Sequence, residues 1–308
     1  MSNGSIITNN GKRVMLYRAY TENADLSSTE YLPPTRYKVG INNDTPSVFD
    51  NDLDLLIPVN VGTVCDDGSN QLTGSSGGTN TTDNTTTYKV GGGVGDDTAQ
   101  NLLANDTNAS KIWTISDLTT DGSNADSSKY IGLWFYIKDS TTLAKLKTSG
   151  TCLEVRLGAD TTTNYYSKTY EAGDLSTGWN WLSDGELLST WTENGTPGTL
   201  NDFQIIITTN NATDEFAAGD VVYDLLRQWE VSDTIRDLDP DYPSFDLTNL
   251  EVTNRATLTT VHANGFDLNG FGMFNEDSSA LMTGEDTHPS DSKSDTDEFV
   301  YIVVDRVR

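Results

Sequence analysis

Acid–base and nucleophilic chemistry at neutral pH has little to work with in this sequence. It holds two histidines, His262 and His288, and two cysteines, Cys65 and Cys152. His262 stands beside the turn pair Asn264–Gly265, and His288 precedes Pro289 in an acidic stretch. There is no G-x-S-x-G elbow, and no serine is set with either histidine as a triad requires. The cysteines are far apart and in unlike contexts, which fits two buried thiols rather than a disulfide framework or a zinc site. A glycosidase needs only two carboxylates, one with a raised pKa, and 46 acidic residues leave that possibility open. Glu154 in CLEVRL and Asp224 in VVYDLL have the most apolar neighbours. Both alternate out of phase with those neighbours, so a solvent-facing or inter-strand role is expected of them. No catalytic residue is assigned, and the chain is expected not to be an enzyme.

Oxygen ligands are more plentiful. Asp237, Asp239 and Asp241 have the spacing that opens a calcium loop, as do Asp50, Asp52 and Asp54. Neither run has the sixth-position glycine or the twelfth-position glutamate. The turn Asp121–Asn124–Asp126 could also offer oxygens. Ca²⁺ is the ion these residues suit, and solvated Asx-turns are the competing explanation. The glycine loop GGGVGDD at 91–97 has no GK[ST] after it, and its two aspartates would repel a phosphate. It is expected to be a flexible turn, and no cofactor is expected.

Aromatic residues offer a third kind of chemistry. Trp179 and Trp181 in GWNWL share a face if that segment is a strand. With Tyr165 and Tyr166 they could form a platform on which a sugar ring stacks. The alternative is that the tryptophans fill the core of a sandwich.

These residues must be positioned by short strands. The acid is mostly Asp, and Thr, Asn, Ser and Gly are heavy, a composition of turns rather than helices. From 111 to 230 come KIWTISDL, KYIGLWFYIK, TCLEVRLG, NYYSKTYEA, GWNWLS, DFQIIITTN and DVVYDLLRQWE, apolar or alternating runs between polar turns. That pattern predicts an antiparallel β-sandwich of the jelly-roll or lectin-like kind. Leu133, Phe135 and Ile137 fall on one strand face, and Leu153, Val155 and Leu157 repeat the alternation. All six tryptophans lie in this block. The stretch 66–110 is so polar that it is expected as an extended connection, with Tyr88 and Val90 giving a short strand or an anchor. Residues 231–245 read as a proline-punctuated linker. Residues 1–65 and 246–308 are expected to build a second, smaller β-rich domain, with a helix-like patch at 11–20.

The net charge of −27 argues against nucleic acid and anionic membrane as partners. No apolar run is long enough to span a bilayer, so no membrane insertion is expected. The N-terminus MSNGSIITNNGKRVMLYRAY lacks a basic region followed by an apolar run, so no signal peptide is expected.

The two ends carry a further set of phrases. Near the start are KVGINNDTP and DNDLDLL, and near the end are ANGFDLNGFGMFN and a serine/lysine turn before EFVYIVVDRV. Together they resemble a β-rich module of tailed-bacteriophage virion proteins, of the tail-fibre, tail-associated or head-decoration type. The resemblance covers the ends only, while the central block resembles lectin-type sandwiches in pattern alone. It implies a non-enzymatic structural protein on the outer surface of a virion, assembling with copies of itself and with other virion proteins. A homotrimer is expected by analogy with fibres. Asn264–Gly265 is expected to turn a hairpin, and Gly270 and Gly272 to allow close approach beside Phe271 and Phe274. Phe271, Phe274, Tyr301 and Val303 are the candidate assembly residues; the last strand is apolar on both faces, so it is expected centrally in a sheet or at a subunit interface. A host-surface glycan receptor bound at the aromatic platform is the alternative function, and a polysaccharide depolymerase the third.

Overall fold

The computed structural model describes residues 34–41, 57–60, 62–69, 72–83, 89, 98–105, 107–120, 122–183, 185–274 and 281–306. For 281–288 and 306 only the backbone is described. The expectations for 11–20, for Asp50, Asp52 and Asp54, for Tyr88 and Val90, for the loop at 91–97 and for Asp121 lie outside these residues.

The protein is mainly β, with antiparallel sheets throughout and a single-turn helix at Ser140–Leu143. It divides into two compact units, Met1–Val61 with Glu230–Arg308, and Gly62–Trp229. A continuous middle segment is thus inserted in sequence into a unit made by both ends. The end unit begins with β1 (Arg36–Gly40). The inserted unit holds β2 (Thr63–Asp66), β3 (Thr73–Ser75), β4 (Gly78–Asp83), β5 (Ala99–Ala104), β6 (Ser110–Ile115), β7 (Tyr130–Ile137) and β8 (Thr151–Asp160). It continues with β9 (Asn164–Glu171), β10 (Gly178–Leu182), β11 (Thr192–Asn194), β12 (Asp202–Thr208) and β13 (Val221–Trp229). The end unit resumes with β14 (Arg236–Asp237), β15 (Ser244–Asp246), β16 (Glu251–Leu258), β17 (Asp267–Phe274), β18 (Leu281–Ser292) and β19 (Phe299–Arg306).

The inserted unit is a two-sheet sandwich. One sheet runs β10-β7-β13-β5-β4 with β2 also on β13, and the other runs β11-β9-β8-β12-β6-β3. Period-two alternation decides what lies between them. Leu133, Phe135 and Ile137 of β7 and Tyr223 and Leu226 of β13 join Leu153, Val155, Leu157, Phe203, Ile205 and Ile207 of β8 and β12 in one core. Each such side chain contributes about 1.5–3 kcal/mol by burial. Leu225, at φ 47°, bulges β13, and the strand's partner changes there. Val222 and Tyr223 pair with β5, while Leu226, Arg227 and Gln228 pair with β2. Thr63 and Gln228 are opposite each other, so the two ends of the insert leave side by side, as an insertion requires.

The polar stretch 66–110 differs from its expectation as a connection. It supplies β3, β4, β5 and the first residue of β6, all paired into the sandwich. The reason is position in the sheets. Among the described residues β3 (TGS) and β4 (GTNTTD) are the outermost strands of the two sheets, where polar side chains are tolerated. The turn at Ser76–Gly77, both with positive φ, carries the chain from one sheet to the other. A Cβ on Gly74 would stand 2.2 Å from the Gly78 carbonyl oxygen, so glycine is required at that crossing.

In the end unit, β14-β1-β17-β18 form one sheet and β15-β16-β19 another. The segment 231–245, expected as a linker, carries β14 and β15, which pair with β1 and β16. Asn264–Gly265 does not turn a hairpin. It lies between β16 and β17, which belong to different sheets. Tyr37 and Val39 of β1 and Phe271, Met273 and Phe274 of β17 are buried with Ala256 and Leu258 of β16. Gly270 and Gly272 pair with Gly40 and Lys38.

Candidate binding and assembly surfaces

In β7 the core takes Leu133, Phe135 and Ile137, and alternation sends Trp134 and Tyr136 to the outer face. β10 pairs Trp179 with Tyr136 and Trp181 with Trp134, so four aromatic rings share that face. The ring centroids of Trp134 and Trp181 are 4.8 Å apart, those of Tyr136 and Trp179 5.2 Å, and those of Trp181 and Trp229 5.6 Å. Tyr130 stacks on Trp229 at 6.0 Å. The result is a continuous run of six aromatic side chains on the outside of the sandwich. Trp134 and Trp229 are buried within it, while Trp179, Trp181, Tyr130 and Tyr136 keep partial exposure. Cations finish its edges: Arg227 lies 5.1 Å from the Trp181 ring centre and Lys89 Nζ lies 4.9 Å from that of Trp134. Trp181 crosses above Gly132, where a Cβ would come within 2.4 Å of the ring.

Tyr165 and Tyr166 are not part of this face. Both are on β9, in the opposite sheet. Tyr166 packs against the sandwich core. Tyr165 faces outward, but Arg156 covers its ring at 4.3 Å. The four residues expected as one platform are therefore split, because they belong to different sheets. Trp179 and Trp181 keep the geometry of a platform, and Trp113 and Trp191 take the core role.

The acids with apolar neighbours are engaged by structure. Glu154 holds Arg156 with two bonds, at 2.7 and 3.1 Å, on an outer sheet face. Asp224 is 1% exposed and so does not face solvent as expected; it accepts the Lys89 amide at 2.7 Å. Asp66, which nothing in the sequence singles out, is also buried. It accepts the Tyr223 hydroxyl at 2.7 Å and the Gly68 amide at 3.1 Å. Burial, with Asp66 beside it, pushes the Tyr223 phenol well above its ordinary range. The signal for Asp66 would have been TVCD ending a strand beside a glycine, too common a pattern to act on. Both cysteines are buried thiols. Burial pushes Cys65 to about 12 and Cys152 to about 11, so neither is a nucleophile at neutral pH.

Among the described residues the candidate calcium ligands do not converge. Asp126 caps its own turn, accepting the Ser128 amide at 2.9 Å and hydroxyl at 2.8 Å, and these bonds lower its pKa. A cleft of about 540 Å³ in the end unit is lined by Arg36, Arg236, Asp237, Asp239 and Thr257, among others. Asp237 lies 3.4 Å from the Arg36 guanidinium. Asp239 accepts the Thr257 hydroxyl at 2.6 Å and lies 3.1 Å from Arg255. Asp241 is exposed, in the left-handed region at φ 70°. Among the described residues no group of three or more acids, histidines or cysteines is arranged to hold a metal ion.

The candidate assembly residues divide by strand face. Phe271 and Phe274 are in the core of the end unit. Tyr301 is turned inward onto Phe271, and Val303 is on that same face of β19. The opposite face presents Val300, Ile302 and Val304, which are 41%, 63% and 46% exposed. β19 pairs with β16 and, among the described residues, is the outermost strand of its sheet. Phe245, Leu247 and Leu250 are exposed in the same β15–β16 part of the end unit. No helix among the described residues is long and apolar enough to cross a membrane.

No family model matches the chain, and no curated protein is detectably similar to it.

Proposed function

We propose that the protein is a non-enzymatic structural component of a tailed-phage virion. The end unit joins it to further copies, for which we propose a trimer, and to other virion proteins, and it carries the sandwich as a surface module. The observation that carries the assembly part is the outermost strand β19, with Val300, Ile302 and Val304 exposed. An exposed apolar face on a strand that is outermost among the described residues suits packing against another chain. Self-association also meets a charge problem, since copies with net charge −27 repel. Residues 299–304 of β19 are uncharged, so copies meet there with least repulsion. The virion assignment rests on the phrases at the two chain ends. Light scattering on the purified chain tests assembly: a trimer supports the reading and a monomer at all concentrations counts against it. Proteomics of the source virus tests the location, and particles without this chain would end it.

A second reading has its own observation. The partly exposed Trp179 and Trp181, braced by Trp134, Trp229 and Tyr136, suit a lectin-like, carbohydrate-binding role, because rigid aromatic faces stack on sugar rings without losing much side-chain entropy. Glycan-array binding that disappears in Trp179→Ala/Trp181→Ala would support a receptor-recognition module, and a flat array would leave the structural role alone. Halo formation on host lawns tests the depolymerase alternative.

A further inference from the structure

Lys293 is the residue after β18, and it is buried, with 1% exposure. Its Nζ donates to the Asn264 Oδ1 at 2.9 Å and to the Ser294 carbonyl at 2.6 Å. Both acceptors are neutral, and among the described residues no carboxylate is within ion-pair distance of Lys293. An ammonium buried against neutral oxygens alone is costly. Asn264, 6% exposed, is equally fixed: its Nδ2 donates to the Thr260 carbonyl at 2.7 Å, which turns its Oδ1 to the lysine. The two backbones are clamped to each other. The Gly265 amide donates to the Lys293 carbonyl at 2.8 Å, and the Lys293 amide donates to the Phe266 carbonyl at 2.9 Å. Ala263 and Gly265 both have positive φ, at 52° and 86°, and this turn sets the direction of Asn264 between them.

We propose that Lys293 and Asn264 form an intramolecular isopeptide bond, with the lysine Nζ joined to the asparagine Cγ. The reaction balances without any added reagent. The ammonium of Lys293 sheds one proton, and its nitrogen attacks the Asn264 Cγ. The attacking nitrogen gives up a second proton, the Cγ–Nδ2 bond breaks, and the departing NH2 takes up both protons and leaves as ammonium. No electron changes hands. The product is a neutral secondary amide, so the step removes a buried charge from the interior. Fixing both groups in contact converts a slow bimolecular aminolysis into a unimolecular step. Burial supports it by pushing the Lys293 pKa down, toward the neutral amine that attacks, while Asp297, Asp295 and Glu298 pull the other way. The bond would tie the segment before β17 to the residue after β18, closing the β17–β18 pair covalently at its open end.

The test is the intact mass and peptide map of the full chain, purified and then incubated at neutral pH. The expected result is a mass one ammonia below that of the sequence and a branched peptide joining Asn264 to Lys293. Lys293→Arg restores the full mass, and Asn264→Asp loses water in place of ammonia. One rival gives the same mass loss: attack by the Gly265 amide nitrogen on Asn264 Cγ, forming a succinimide. That ring persists in Lys293→Arg, opens with hydroxylamine and gives no branched peptide. The map of the unmutated chain decides the question even where a variant fails to fold. An unbranched map, an unchanged mass, or ammonia loss that survives Lys293→Arg would each overturn the proposal.

Discussion

Tyr301 lies flat on Phe271, with ring centroids 4.5 Å apart and planes 13° from parallel. The contact joins the two sheets of the end unit, since Phe271 is on β17 and Tyr301 on β19. Tyr37 of β1 adds a third ring, 5.8 Å from Phe271, and its hydroxyl donates to the Thr257 carbonyl of β16 at 2.9 Å. Phe271 is the middle ring of this stack. Phe271→Ala is expected to cost about 3–5 kcal/mol through the cavity it leaves. Phe271→Leu keeps most of the volume and loses the stacking, for about 1–2 kcal/mol. Urea unfolding of both variants measures this. Equal costs would mean that the ring stack adds nothing beyond volume.

Trp113 makes a second link between layers. It is fully buried in the sandwich core on β6, and its indole N–H donates to the Thr79 carbonyl of β4 at 2.6 Å. β4 belongs to the opposite sheet and comes from the polar stretch. Trp113→Phe keeps much of the apolar bulk but leaves the Thr79 carbonyl without that donor. A loss of about 1–3 kcal/mol is expected, with hydrogen exchange rising first in 78–83. Unchanged exchange in that strand would show that β4 is held by its β5 ladder alone.

His262 makes the end unit sensitive to acid. Burial, with the charge of Arg236 next, lowers its pKa from 6.5 to about 4. Its Nδ1 faces the Thr259 amide, at 3.2 Å, and the Thr259 hydroxyl, at 2.9 Å, and accepts from that amide in the neutral ring. The native state therefore favours neutral imidazole, while the unfolded chain takes up a proton below pH 6.5. Stability is full above 6.5 and is lost as pH falls toward about 4, where the native state also protonates. With solvent screening the loss is on the order of 1–2 kcal/mol. His262→Gln should flatten the unfolding midpoint across this window, and a slope that stays the same would assign the acid sensitivity to carboxylates.

The sandwich was legible in the sequence wherever a strand is buried on one face. LEVRL alternates from Leu153 to Leu157, and Leu133, Phe135 and Ile137 share one phase of a strand whose other phase is aromatic, so these positions could be placed by period. Edge strands were not legible. GTNTTD has no apolar residue to alternate, and its place in the sheet depends on its ladder with β5 and on Trp113. The aromatic face was partly legible. Period two puts Trp179 and Trp181 together, but only sheet pairing shows that Trp134 and Tyr136 join them and that Tyr165 and Tyr166 do not. In β19 both faces are apolar, so alternation could not tell Tyr301 from Ile302; the stack on Phe271 decides it. Lys293 and Asn264, 29 residues apart, have no sequence signal at all.

Gly132 tests how rigidly the aromatic face is held. A methyl group there would lie 2.4 Å from the ring of Trp181, which is carried by the paired strand β10. Gly132→Ala is expected to lift Trp181 off Trp134 and to cost about 1–3 kcal/mol. Tryptophan emission should shift to longer wavelength as the ring meets water. An unshifted spectrum with unchanged stability would mean that Trp181 has another resting place of equal energy.

Ile302 separates assembly from folding. It is 63% exposed on β19, so it contributes little to the fold of a single chain. If copies pair along this strand, Ile302→Lys sets a charge into each apolar contact, at several kcal/mol per interface. The expected outcome is a chain that unfolds at the same urea concentration when measured as a monomer but no longer associates in light scattering. Val303→Lys is the internal comparison, because Val303 shares the inward face with Tyr301. That variant should lower stability whether or not the chain assembles. Association that survives Ile302→Lys would place the contact between copies elsewhere, and the exposed face of β19 would then need a different explanation.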